Sequence, residues 1–74
     1  MPQLTKRSVA LRGHPTSVAL EDDFWAALDR WAKTDHVSVP VLISRIDETR
    51  QEGSLASAIR VQILKHVQDG RTMN

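Results

Sequence analysis

The sequence predicts a mainly helical fold headed by a short β-ribbon. Apolar residues alternate with small or polar ones along residues 7–20, three later segments repeat apolar residues at helical spacing, and the chain is only 74 residues long with no cysteine. Period two marks a half-buried strand, and a period near 3.6 marks an amphipathic helix. A chain this short buries little surface and usually needs a staple or a partner. No disulfide can form. The three histidines, His14, His36 and His66, are too widely spaced for a metal site, so neither metal nor other cofactor is expected. Association with a second copy is the remaining device.

In the extended segment 7–20, Val9 and Leu11 alternate with Ser8, Ala10 and Arg12, and Val18 and Leu20 alternate with Ser17 and Ala19. Gly13-His14-Pro15 between them signals a turn or bend. Pro15 cannot donate to a ladder and belongs at a strand start or an edge. Two arrangements fit: a hairpin within one chain, or a bent strand whose second half pairs with another molecule.

The first helix is expected over 21–34. Glu21, Asp22 and Asp23 complement the dipole of its first turn. Phe24, Leu28 and Trp31 form its apolar stripe, widened by Trp25 and Ala32. Thr34-Asp35-His36 is the link. Ser38 is a good N-cap for a second helix over 38–52, with Val39, Leu42, Ile43 and Ile46 inward and Gly53 as the stop. Ser54 caps a third helix over 54–69 that ends at Gly70. Leu55, Ala58, Ile59, Ile63 and Val67 form its stripe, and Val61 and Leu64 lie outside it. A face that wide implies contact on more than one side. Residues 71–74 are expected to be disordered.

A lone ribbon is unstable in water. Two copies that pair their strands over a shared layer of helices would resolve this, so the expected assembly is an intertwined homodimer of single-domain chains. Nothing in the sequence resembles a signal peptide or a membrane span, which makes the expected location the cytoplasm.

Net charge is +1, yet its distribution is uneven: residues 1–20 hold Lys6, Arg7 and Arg12, and every acid lies from Glu21 onward. An acid-free basic arm is a common device for contacting phosphate. A solvated terminus would look the same.

Lys6-Arg7-Ser8, Gly13-His14, Thr16-Ser17, Leu20-Glu21, Phe24-Trp25, Leu28, Ser38, Leu42-Ile43, Ile46-Asp47, Arg50 and the run Leu55 to Val61 together resemble the ribbon-helix-helix superfamily, the group of the Arc and MetJ repressors. The pattern, over roughly residues 6–67, is most similar to short bacterial ribbon-helix-helix proteins with a third helix. The resemblance implies a homodimer whose two strands form a ribbon that enters the DNA major groove, with the N-terminus of the second helix holding a phosphate. Carried onto this chain, Ser17 is the only hydrogen-bonding reader in the Pro15, Ser17, Ala19 series. Arg12 is the best base-contact candidate, since its fork matches guanine, while Lys6 and Arg7 are expected to hold phosphate. Ser38 and Val39 would supply the helix-terminal phosphate site, although Pro40 removes one amide from that turn.

Other clusters carry less. His14 and Thr16 beside Ser17 lack an orienting acid and read as turn hydrogen bonds, so no enzyme constellation is present. Trp25 and Trp31 read as core or interface residues. Arg60 is expected to pair with Asp47 or Glu48 across a helix interface. Two functions compete: a dimeric, sequence-specific DNA-binding transcriptional regulator on a two-fold symmetric site, and a dimeric protein-interaction module that binds a partner through the third helix or Trp25. An antitoxin would combine both roles, but antitoxins usually carry a long tail for the toxin, and only four residues follow Gly70.

Overall fold

The computed structural model describes residues 3–72, with side chains described for residues 3–70. Its elements follow in the order β1 (Leu4–Leu11), β2 (His14–Glu21), α1 (Asp22–Thr34), α2 (Val39–Thr49) and α3 (Leu55–Thr72). The two strands pair with each other, antiparallel, within one chain. Of the two arrangements that the sequence allows, the hairpin is the one present.

The connection is tighter than Gly13-His14-Pro15 implies. His14 and Pro15 already belong to β2, and Arg12-Gly13 alone makes the turn, with φ of 54° and 81°. Positive φ at both residues is the mark of the tight two-residue hairpin turn, whose twist matches that of the strands. Gly13 adopts it freely. Arg12 holds it at a cost of about 1–2 kcal/mol.

Register then fixes the faces. Val9 and Leu11 on β1, and Val18 and Leu20 on β2, are buried against the helices. The opposite face pairs Lys6 with Ala19, Ser8 with Ser17 and Ala10 with Pro15. A two-residue loop closes on a pair that exchanges both hydrogen bonds, here Leu11 and His14, so the next pair, Ala10 and Pro15, is a non-bonded one. The Pro15 nitrogen therefore points off the ribbon and costs no ladder bond.

The buried stripe of α1 is Trp25, Leu28 and Ala32. The expected stripe is thus displaced by one residue, and Phe24 and Trp31 are half-buried on its flanks. The reason lies in β1. The Trp25 indole N–H donates to the Thr5 carbonyl at 2.7 Å, and the Arg7 guanidinium stacks over the ring 4.4 Å from its centroid. Trp31 stacks on His66 with ring centroids 4.3 Å apart and donates to Asp35. The helix closes through a left-handed His36, φ 57°, whose N–H bonds to the Lys33 carbonyl while that of Val37 bonds to the Ala32 carbonyl. This is the Schellman pattern.

Helix α2 begins on Ser38 as expected but ends at Thr49, because Arg50 is extended (φ −68°, ψ 132°). Gly53, φ 89°, instead turns the loop toward α3. There the Ser54 hydroxyl oxygen accepts the Ser57 N–H at 3.1 Å, which confirms Ser54 as the cap. Helix α3 does not stop at Gly70 but continues through Arg71 and Thr72. Glycine in a helix interior costs only about 1 kcal/mol and need not end it. The rest of the expected tail, residues 73–74, lies outside the described residues.

Among the described residues, twelve apolar ones drawn from every element form the core, and Leu20, Leu28, Ile43 and Ile59 are completely buried. Arg60 pairs with Glu21 at 2.8 Å, not with Asp47 or Glu48; Asp47 pairs with Arg50. The Arg60 hydrogen bond holds the Glu21 carboxyl below its ordinary value of 4.5. A lowered folded-state pKa means that the pair's contribution is complete above the unfolded value and is lost as pH falls through the folded one. Glu21→Gln is therefore expected to lower the urea midpoint at neutral pH, and the gap to wild type should close as pH drops below 4.5. A gap that stays constant with pH would rule out the ion pair as its source.

Candidate nucleic-acid interface

The hairpin divides the basic arm between two faces. Lys6, Ser8, Ala10, Pro15 and Ser17 are exposed on the outer face, with Ala19 half-buried. This face carries no acid between its ends. Glu21, at the end of β2, is paired with Arg60. Lys6 makes no hydrogen bond or ion pair among the described residues, so its charge is available. Ser8 and Ser17 face each other across the ribbon and give its middle two adjacent hydroxyls. Ser17 was legible as a candidate; its partner Ser8 needed the pairing register.

Arg7 does not join Lys6. Strand alternation puts it on the inner face beside Val9, where its guanidinium bonds both carboxylate oxygens of Asp29 at 3.1 and 3.3 Å. Stacked on Trp25 as well, it ties β1 to α1. Its expected phosphate role meets a guanidinium already committed. Arg12 is displaced in another sense: it sits in the turn and not on the strand face, exposed at the tip of the ribbon.

Ser38 and Val39 open α2, on a different element from the ribbon. Ser38 Oγ accepts the Val41 N–H at 3.3 Å, and Pro40 has none to give. Of the amides that a phosphate would need, Val41's is used by the cap and Val39's is the one left. The helix-terminal site is thus smaller than the sequence implies. His14 and Thr16 share one long contact, Thr16 Oγ1 to the His14 carbonyl at 3.5 Å, with no acid joined to them.

A two-stranded ribbon whose outer face carries hydroxyls and a free lysine, backed by a helix pair and a further helix, is the architecture of a class of DNA-binding proteins. Comparison with protein families bears this out: residues 4–67 match the ribbon-helix-helix domain, and the chain belongs to that family. Its members are in general DNA-binding regulators, typically without enzymatic activity, and usually dimeric. No curated protein and no solved structure matches the chain. Among the described residues no helix is long and apolar enough to cross a membrane.

Proposed function

We propose that this protein is a sequence-specific DNA-binding transcriptional regulator that inserts its β-ribbon into the major groove and acts as a homodimer in the bacterial cytoplasm. The observation that carries this reading is the outer ribbon face. Lys6, Ser8 and Ser17 are exposed on it together, with no acid among them and with Arg12 at the tip. Lysine and arginine supply phosphate contacts and the serine hydroxyls reach base edges. Ser38 and the Val39 amide offer a secondary phosphate contact.

Arg12 supports the reading from a second direction. A left-handed turn position favours asparagine or glycine, and strain retained at such a place is accounted for by a role of the side chain. Arg12→Asn is expected to raise stability by up to about 1 kcal/mol while weakening duplex binding several-fold. Paired urea denaturation and binding titrations measure both. A variant that is more stable and binds equally well would remove Arg12 from the interface.

The surface for a second copy is α3. Val61, Leu64 and Val67 are 46%, 55% and 41% exposed, and they line a groove with Phe24. A contiguous apolar strip on a chain this small marks a contact surface. Leu64→Lys is expected to shift the chain from dimer to monomer in sedimentation. An unchanged oligomeric state would place the interface elsewhere. The same strip is where a protein-interaction module would bind its partner. Trp25 offers no such edge, since it is 1% exposed.

A further inference from the structure

We propose that Arg7 and Asp29 aim Lys6 at DNA: by tying the open end of the hairpin to α1, the pair positions the outer face, and Arg7 serves as a positioning residue and not as a phosphate contact. The inference rests on the DNA-binding reading above and concerns how that face is held.

The hairpin has a closed end and an open end. Arg12-Gly13 joins the strands at the first, and Leu4 and Thr5 lead into β1 at the second. A two-stranded ribbon is marginal in water, and a chain start is poorly ordered unless something ties it down. Lys6 is the third residue of β1, close to the open end. Its side chain makes no hydrogen bond or ion pair among the described residues, so it does not hold itself in place.

The residues on either side of it are held. The Thr5 carbonyl accepts the Trp25 indole N–H at 2.7 Å, and the Thr5 hydroxyl donates to Asp22. Arg7 donates to both carboxylate oxygens of Asp29 and stacks on the Trp25 ring. Asp22, Trp25 and Asp29 recur at i, i+3 and i+7, so they share one face of α1. The spacings along the two elements also agree. Two residues of strand cover about 6.7 Å and four residues of helix about 6 Å, so Trp25 can meet Thr5 while Asp29 meets Arg7. Alternation sends Thr5 and Arg7 to the inner face together and leaves Lys6, between them, on the outer one. An Arg7 that reached phosphate beside Lys6 would have to give up both the carboxylate and the ring, and would start from the wrong side of the strand.

The two roles of Arg7 predict opposite signs for Asp29→Ala. For a positioning residue, loss of the carboxylate loosens the open end and weakens duplex binding. The side chains of the pair are 41% and 45% exposed, and such ion pairs are worth up to about fivefold in an equilibrium, so a loss of about threefold to fivefold is expected. For a phosphate contact restrained by Asp29, release would tighten binding and steepen the salt slope by about 0.9. The loss should also run through Lys6. In a double-mutant cycle, Asp29→Ala is expected to change affinity by less than about twofold once Lys6→Ala is present. Equal losses in both backgrounds, or tighter binding by Asp29→Ala, would overturn the proposal.

Hydrogen exchange in the free protein gives a second readout that needs no DNA. Arg7 pairs with Val18 and Leu11 with His14, both hydrogen-bonded pairs by the alternation of the ladder. In Asp29→Ala the Arg7 amide should exchange about threefold to fivefold faster, while the Leu11 amide beside the turn keeps its wild-type rate. An unchanged Arg7 amide, or equal quickening at both positions, would show that the pair does not hold the open end. Failure of wild type to bind any duplex would remove the DNA-binding reading and this inference together, whereas additive losses in a protein that does bind would remove this inference alone.

Discussion

Trp25→Ala is expected to cost about 3–5 kcal/mol, the range for emptying a buried aromatic site in a core. Small domains are stable by only about 5–15 kcal/mol, and a chain of this size has little to spare, so the variant should be largely unfolded at moderate temperature. Three losses coincide at this residue. The 1%-exposed ring leaves a cavity beneath β1, the Thr5 carbonyl loses the indole donor at 2.7 Å, and Arg7 loses the face on which it stacks. Trp25→Phe separates them, because it keeps most of the volume and removes the donor, and should cost about 1–2 kcal/mol. Chemical denaturation followed by circular dichroism measures both. An alanine variant within 1 kcal/mol of wild type would mean that β1 is not anchored through Trp25.

Ser17→Asp carries the largest expected effect on function. Ser17 is exposed, its side chain makes no hydrogen bond among the described residues, and it lies on the ribbon's outer face, so the fold should tolerate the change. On DNA the new carboxylate would face phosphate and base acceptors in the middle of the ribbon. Like charges forced together cost several kcal/mol, which is a loss of about 100-fold or more in affinity. Ser8→Asp, directly across the ribbon, should have the same effect. Lys6→Ala should weaken binding more evenly across sequences and reduce the salt slope by about one. Full binding by Ser17→Asp would move the interface off the ribbon.

Much of this was legible in the sequence, and the parts that were not share a cause. The order of extended segment and three helices followed from periodicity, and both serine caps, Ser38 and Ser54, followed from residue type. The one-residue displacement of the α1 stripe did not, because what draws Trp25 inward is a carbonyl on Thr5, far earlier in the chain and invisible to local pattern. Arg60 found Glu21 across 39 positions for the same reason. Arg7 is different. Its inward placement was written in the alternation that already put Val9 and Leu11 inside, so counting it with Lys6 as a phosphate contact overlooked strand parity. Arg12 could not be placed until the turn was known to have two residues, since a longer turn puts it on the strand face. The reduced helix-terminal site was legible in both its parts: Pro40 announced one missing amide, and the Ser38 cap that residue type implied is what takes the Val41 amide.

The central claim is that the outer ribbon face holds duplex DNA. Its most direct test is equilibrium binding of the wild-type chain to duplex DNA across a series of salt concentrations. Each phosphate contact released by salt contributes about −0.9 to the slope of log affinity against log salt. A steep negative slope is expected, becoming shallower in Lys6→Ala and in Arg12→Ala. A wild-type chain that shows no salt-sensitive binding at low salt, or a slope that neither substitution changes, would contradict that claim.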